Sequence, residues 1–310
     1  SHDAVLPDAA RIGKPVTSRP ILDELKSHVL ALMPFRMSTF PGSQPVSFEK
    51  RHIDLVKSQP YTVCEKTDGT RYLLVVVKGA PYLVDRKFGF FNVMVFLPRH
   101  PLRPEEARDS PLWHDRTIVD GELVLDTVEG KKELVYLIYD AVAVNGVSVM
   151  NLPLTSRLQV VRDHILSPRA RLRTMPLFAQ RMQTEPFRVA LKNMYDVASL
   201  PVVLTKVIPS LPHENDGLIF TPVHTPYTCG TDHRLLKWKP LSLNTVDFEL
   251  QVASRGSPPT YMVQLLAANK GARSEFGWIQ LPREVMALGR KLTGRIAECS
   301  FDPSGTTYVP

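Results

Sequence analysis

The sequence predicts an α+β fold followed by a small, separate β-barrel, and three observations carry that reading. Apolar residues at helical spacing near the N-terminus give way after Tyr61 to dense strand alternation. Two stretches of helical character then interrupt the strands, before strands resume. Beyond "SRGSPP", residues 254 to 259, the strands become short and separated by turns, which fits a small barrel better than a continuation of the first sheet. At 310 residues and 44% hydrophobic, the chain suffices for one large domain or two ordinary ones with proper cores. The boundary is expected near residues 240 to 258.

Taken in order, the first 20 residues are polar with scattered prolines and read as an extended arm. "RPILDELKSHVLALM" then sets Ile21, Leu22, Leu25, Val29 and Leu32 at helical spacing, with Pro20 in the first turn, where its missing N–H matters least. "PFRMSTFPGSQPVS" is turn-rich, and "FEKRHIDLVK" predicts a short helix packing Phe48, Leu55 and Val56. "YTVCEK", "TRYLLVVVKG" and "APYLVDR" are strands, with Lys78-Gly79 as a tight turn. Further strands are expected at "RTIVDGELVLDT" and "ELVYLIYDAVAVNG". Thr155 or Ser156 would cap a helix through "RLQVVRDHILS", and "EPFRVALKNMYDVASL" reads as a second helical stretch. "DGLIFTPV", "HRLLKWKP" and "TVDFELQVA" return to strand, and "TYMVQLLAA", "FGWIQLP" and "RIAECSFD" form the barrel-like tail.

Lys and Arg number 38 against 31 Asp and Glu, a net charge of +7 that suits a polyanionic partner such as nucleotide or RNA. The three cysteines, Cys64, Cys229 and Cys299, lie far apart without C-x-x-C spacing, which gives neither a disulfide framework nor a zinc site. No apolar run approaches the roughly 18 residues of a membrane span, and the N-terminus lacks a signal-peptide pattern. A soluble, intracellular chain with no membrane partner is expected. The opening "SHDAV" has no Met and reads as a processing or expression scar on a piece of a longer polypeptide.

"CEKTDGT" sets Lys66 between two acids, just before a glycine and a β-branched run. Four letters alone favour a charged hairpin corner. A lysine nucleophile requires an ammonium that gives up its proton, and nearby positive charge favours that loss. "RLLKWKP" offers such charge: in a strand Lys237 and Lys239 share one face while Trp238 points to the other. An anionic phosphate between Lys66, Lys237 and Lys239 would relieve their repulsion. "VDGELVLD" puts Asp120 and Glu122 on one strand face, and "ENDGLIF" does the same for Glu214 and Asp216. Hard carboxylate oxygens suit Mg2+, which a triphosphate-handling enzyme needs. Singly, each acid is more often a turn residue beside a glycine.

In order, "KTDG", "DGELV", "YLIYDAVAVNG", "DGLIF" and "LLKWKP" resemble the motifs of the lysine nucleotidyltransferase superfamily, which holds ATP-dependent DNA ligases, RNA ligases and mRNA capping guanylyltransferases. "FPGSQPVSF" upstream, Asp opening "DGLIF", the tryptophan of "LKWKP" and "NTVDFEL" after it resemble the capping branch. The resemblance covers about residues 40 to 300. It implies a nucleotidyltransferase domain over residues 1–245 and an OB-fold domain over 246–310, closing over the nucleotide.

Carried over residue by residue, the resemblance makes Lys66 the lysine that forms a phosphoramidate with GMP, with Thr67 of the same motif a nucleotide contact. Arg71 and Arg86 would touch ribose and phosphates, and Glu122 the ribose. Tyr139 would stack on the purine and Ile219 on its opposite face. Asp216 would be the acid needed for metal-assisted phosphoryl chemistry, and Glu122 and Asp216 the carboxylates toward Mg2+ or Mn2+. Lys237 and Lys239 would hold the α-phosphate, and Asp247 would face the outer phosphates or metal. Lys192 resembles the lysine that contacts guanine O6, with Arg188 as its rival. One departure stands out: no Arg-x-Asp-Lys element, which in the family orients the β and γ phosphates, follows "GRIAECSFDPSGTTYVP".

The resemblance implies a nuclear guanylyltransferase that takes GTP, passes GMP through Lys66 to a 5'-diphosphate RNA, and works with the phosphorylated tail of RNA polymerase II and an RNA triphosphatase. The alternatives are an ATP-dependent polynucleotide ligase, separable by which nucleotide labels the lysine, and a non-catalytic RNA- or polymerase-binding module of the same fold.

Overall fold

The computed structural model describes residues 6–99, 113–240, 245–255, 260–269, 272–279, 285, 289–301 and 308–309. The chain divides into two compact units, Ser1–Trp238 and Lys239–Pro310. The first carries α1 (Ala9–Ile12), β1 (Lys14–Pro15), α2 (Arg19–Leu32), β2 (Gln44–Ser47), α3 (His52–Ser58), β3 (Tyr61–Thr67), β4 (Thr70–Val77), β5 (Ala80–Val84) and β6 (Phe90–Asn92). It continues with β7 (Thr117–Val128), β8 (Lys131–Val144), β9 (Val147–Ser148), α4 (Leu154–Val161), α5 (Ser167–Arg173), α6 (Pro176–Met182), β10 (Arg188–Leu191), β11 (Tyr195–Asp196), α7 (Leu200–Val202), β12 (Asn215–Pro222) and β13 (Thr231–Trp238). The second carries β14 (Thr245–Arg255), β15 (Thr260–Asn269), β16 (Ala272–Ile279), β17 (Ile296–Phe301) and β18 (Tyr308–Val309).

Mixed α+β architecture is thus observed, and in the first unit it rests on two sheets. The larger runs β1-β6-β5-β4-β7-β8-β10, with β9 on β8; the smaller runs β11-β3-β12-β13-β2. Pairing is antiparallel apart from β10 on β8 and β2 on β13, which are parallel. The consecutive strands β3 and β4 belong to different sheets although only Asp68 and Gly69 separate them. A Cβ at Gly69 would lie 2.5 Å from the Leu123 carbonyl oxygen of β7, so only glycine lets the chain pass between the sheets. Lys66 therefore stands where the two sheets part.

The continuous apolar run of β4 follows from burial on both faces. Leu73, Val75 and Val77 pack with Leu25, Val29 and Met33 of the α2 region, while Tyr72, Leu74 and Val76 join Val161, Ile165 and Phe187 on the other side. Burying each such side chain is worth about 1.5–3 kcal/mol, which makes β4 the central strand of the unit. Lys78 and Gly79 both take positive φ, 50° and 80°, as the turn into β5 requires.

Four expectations are corrected. The N-terminal arm is docked rather than free over its described part: Ala9 is buried, its N–H donates to the Tyr72 hydroxyl at 3.0 Å, and β1 adds to β6. Gln44–Ser47, read as turn, pairs in parallel with β13. Residues 185–200, read as helix, form β10 and β11; the outer edge of β8 has backbone groups to satisfy, and Val189 opposite Tyr136 with Arg188 exposed gives strand alternation. Thr155 and Ser156 lie inside the first turn of α4, whose cap is Pro153. That helix passes through a π turn, Arg162–Leu166, into α5. Pro168 has no N–H for the carbonyl of His164, and the buried His114 Nε2 lies 2.7 Å from that oxygen instead.

The second unit is an antiparallel sheet of order β16-β15-β14-β17-β18, with a core that includes Phe248, Leu250, Leu292 and Cys299. Residues 241–244 and 256–258 of the expected boundary lie outside the described residues.

Candidate active site

Where the sheets part, the first unit opens into a cleft of about 920 Å3 including its mouth, within the range of small-ligand sites. Each sheet supplies one set of side chains: Arg71, Asp120, Glu122 and Tyr139 from the larger, Cys64, Lys66, Thr67 and Ile219 from the smaller. Arg86, just past β5, and Lys192, just past β10, add two more cations to the lining.

Lys66 Nζ lies 2.7 Å from Asp216 Oδ1, and both side chains are 24% exposed, so the ammonium has a partner yet reaches solvent. Lys192 is buried, donates to Thr67 Oγ1 at 2.6 Å and sits 6.0 Å from the Tyr139 ring centroid. Its backbone N–H donates to the Ile138 carbonyl at 2.8 Å, so the pairing of β10 on β8 is what delivers it. Arg188, its rival, is exposed outside the cleft, on Asp126 and Glu133 at 3.3 Å each. The geometry brings Lys192, and not Arg188, to Tyr139 and Thr67.

Asp120 and Glu122 both face the cleft, as strand alternation requires, but their surroundings separate them. The fully buried Asp120 accepts two hydrogen bonds from Arg71, at 3.0 and 2.6 Å, and one from the Tyr227 hydroxyl at 2.5 Å. Tyr227 in turn accepts from the Ser43 N–H at 3.0 Å, and Arg71 donates to the Ser43 carbonyl, which ties "FPGSQP" to the cleft floor. Burial pushes the Glu122 carboxyl above the usual range, against the opposing charges of Lys192, Lys66, Arg71 and Arg86. Asp120 is thus committed to holding Arg71, while Glu122 stays available.

Cys64, Ile219 and Lys237 lie in one cross-strand row on β3, β12 and β13. The first two line the cleft, so the Lys237 side chain leaves its strand toward the same face. Lys239 lies one residue past β13 and opens the second unit. The side chain of Asp247, on β14, lies outside the described residues. Glu214 is exposed ahead of β12, not paired with Asp216 on a strand face. Among the described residues no group of three or more His, Cys, Asp or Glu gathers to hold a metal ion. Asp216 contacts Lys66 and Glu122 lines the cleft, and Mg2+ commonly takes only one or two carboxylates and completes its shell with water and phosphate oxygens.

Sequence reasoning missed Tyr227, Ser43 as a hinge of the network, and the buried pair of Asp140 with Arg157, whose contacts are 2.7 and 3.1 Å. Arg157 also donates to the Leu152 and Thr225 carbonyls, fixing one end of the cleft wall. Nothing local in the sequence marked Arg157 as the partner of Asp140 or Tyr227 as the partner of Asp120.

A family model described as mRNA capping enzyme, catalytic domain, matches residues 13–241. The chain is similar to the mRNA-capping enzyme subunit alpha of Schizosaccharomyces pombe, 40% identical over 74% of this chain and 57% of that protein. The subunit alpha of Saccharomyces cerevisiae is 40% identical over 74% of this chain and 52% of its own length. The mRNA-capping enzyme of Mus musculus is 32% identical over 95% of this chain and 48% of its own. The chain therefore spans about half the length of the curated relatives it matches.

Proposed function

The chain belongs to the mRNA capping enzyme family, and from that premise we propose that it is the guanylyltransferase: GTP and Lys66 give enzyme-bound GMP and pyrophosphate, and a 5'-diphosphate RNA then takes the GMP. The observation that carries the reading is Lys66 Nζ at 2.7 Å from Asp216, on the wall of a cleft that also holds Tyr139 and the Lys192–Thr67 pair.

In the first step Nζ, freed of one proton, attacks the α-phosphorus; the P–N bond forms as the P–O bond to pyrophosphate breaks. Asp216 Oδ1 is within hydrogen-bond reach to receive that proton. In the second step an oxygen of the RNA β-phosphate attacks the same phosphorus, and the lysine leaves with its electron pair and regains a proton. Splitting the transfer lets the enzyme hold activated GMP until the acceptor arrives. Lys237 and Lys239 take the charge of the α-phosphate, and Arg71, Arg86 and Glu122 meet ribose and phosphates. Tyr139 and Ile219 hold the purine between the sheets, while Lys192 and Thr67 offer donors to guanine O6, a position where adenine has no acceptor. Asp216 and Glu122 would hold a divalent cation such as Mg2+, which supplies charge neutralisation of the outer phosphates when bound.

We further read the second unit as an OB-fold domain, supported by its five-stranded antiparallel sheet. Relatives called subunit alpha support a partner subunit, for which an RNA triphosphatase and the polymerase tail are the candidates, in the nucleus. No helix among the described residues is long and apolar enough to cross a membrane.

Incubation with α-labelled GTP and Mg2+, then denaturing electrophoresis, tests the reading. The label is expected on Lys66, acid-labile and alkali-stable, and absent in Lys66→Arg, whose guanidinium does not deprotonate usefully. Labelling by ATP instead of GTP would make the chain a ligase, and no label from either would leave a binding module.

A further inference from the structure

Behind the strand that carries Lys66, His213 sits between two carboxylates. Its Nδ1 is 2.8 Å from Asp126 Oδ1 and its Nε2 is 3.1 Å from Glu65 Oε1, with all three side chains at most 7% exposed. A carboxylate only accepts, and a neutral imidazole has one N–H, so making both bonds to ionised partners requires the doubly protonated ring. Glu65 lies on β3 of the smaller sheet, next to Lys66, whereas Asp126 lies on β7 of the larger. The backbone around the ring is pinned on both sides: the Pro212 carbonyl accepts from the Thr127 N–H at 2.7 Å, and the Glu214 carbonyl from the Asp68 N–H at 3.0 Å. Three residues after His213 comes Asp216, the partner of Lys66.

Resting on the guanylyltransferase reading, we propose that His213 is a positioning residue: as an imidazolium it ties Glu65 to Asp126 across the two sheets and so fixes Lys66 against Asp216. The ring touches neither Lys66 nor the nucleotide cleft, and it acts through the strands it joins. Around it, Arg188 of β10 donates to the other oxygen of Asp126 at 3.3 Å, and Lys192 and Tyr195 line the small cavity behind the ring. Burial opposes charge on His213, but its bonds to Glu65 and Asp126 outweigh that and raise its pKa. Burial likewise opposes ionisation of Glu65, and the bond to His213 with the charge of Lys192 outweighs it and lowers the Glu65 pKa.

The sign follows. A histidine whose folded-state pKa is raised contributes fully below its ordinary value, about 6.5, and loses that contribution as pH climbs through the raised value. A lysine nucleophile speeds up with rising pH, so the clamp adds a falling limb to a rising profile. Single-turnover formation of the GMP adduct across roughly pH 6 to 9 should rise and then fall in the wild type. His213→Gln should lose the falling limb and run about tenfold slower at neutral pH, with the GTP concentration for half-maximal rate within about twofold. The double variant His213→Gln with Asp126→Asn should regain melting temperature but not the wild-type profile, which separates positioning from mere stability. Superimposable profiles for wild type and His213→Gln would overturn the proposal. So would a neutral His213 ring at neutral pH in the wild type, read from its NMR shifts, a measurement that stands even where the variant does not fold. Absence of any wild-type adduct would remove the guanylyltransferase reading itself and the positioning role with it, an outcome distinct from an unchanged profile.

Discussion

Lys192 shows how much one side chain's role depends on the strand that delivers it. Its ammonium donates to Thr67 and lies beside the Tyr139 ring, within reach of the purine that the proposed function stacks there. Losing one charge-assisted hydrogen bond costs about 1.5–3 kcal/mol, so Lys192→Ala should lower GTP use by roughly one to two orders of magnitude. Arg188→Ala, which removes an exposed guanidinium outside the cleft and its contacts with Asp126 and Glu133, should change it by less than about twofold. Adduct formation measured against both GTP and ATP checks this; equal losses in the two variants would return Arg188 to candidacy. The motif order made Lys66, Arg71, Glu122 and Asp216 legible, because each sits at a fixed offset from a glycine or a strand start. Tyr227 stayed invisible because its partner Asp120 is 107 residues away, and no local period encodes such a distance. Lys192 lay between: the sequence named it beside its rival Arg188 and set both on a helix, whereas the pairing of β10 on β8 is what brings it to the cleft.

At the scale of elements, the long strands were read correctly for a simple physical reason. β4 is buried on both faces and so appears as an unbroken apolar run, and β7 and β8 are buried over most of their length, their apolar residues interrupted chiefly by the acids Asp120, Glu122, Asp126 and Asp140. β10 was misread because four residues at a sheet edge give too short a pattern to outvote the helix formers around them. The pairing of β7 with β8 makes a sharp test. The register shifts between Asp120 and Gly121, and a Cβ at Gly121 would run into the Leu137 carbonyl and lie 2.7 Å from the Tyr136 ring. Neither the backbone nor a fully buried tyrosine can yield, so Gly121→Ala should destabilise by about 3 kcal/mol and displace Glu122. Gly130→Ala, at φ 77° in the turn between the same strands with nothing within 4 Å, should lose only about 1–2 kcal/mol from backbone conformation. Urea midpoints for the two variants decide between steric and conformational origins. Similar losses would mean that the close approach at position 121 relaxes more readily than the geometry suggests.

Across the whole molecule, the change of strand texture set an expected boundary near residues 240 to 258, and the structure divides the chain after Trp238. The cleft itself was not legible, because it exists only where two sheets part, and sheet membership of β3 and β4 cannot be read from strands that adjoin in sequence. Net charge, in contrast, belongs to the sequence alone and makes its own prediction. With +7 overall, the protein's field favours any polyanion, and the two proposed half-reactions present very different ones. In the proposed reactions GTP would be a compact ion held by groups inside the cleft, whereas an RNA acceptor would extend its phosphates over surface outside it. Each phosphate contact on a single strand contributes a slope of about 0.7 in log affinity against log salt. Raising salt should therefore weaken the apparent affinity for diphosphate RNA more steeply than that for GTP in adduct formation. Side-by-side salt titrations of the two steps, with RNA acceptors of increasing length, measure the difference. Parallel slopes that do not change with RNA length would show that only the terminal diphosphate is held, and that the surplus charge serves another partner.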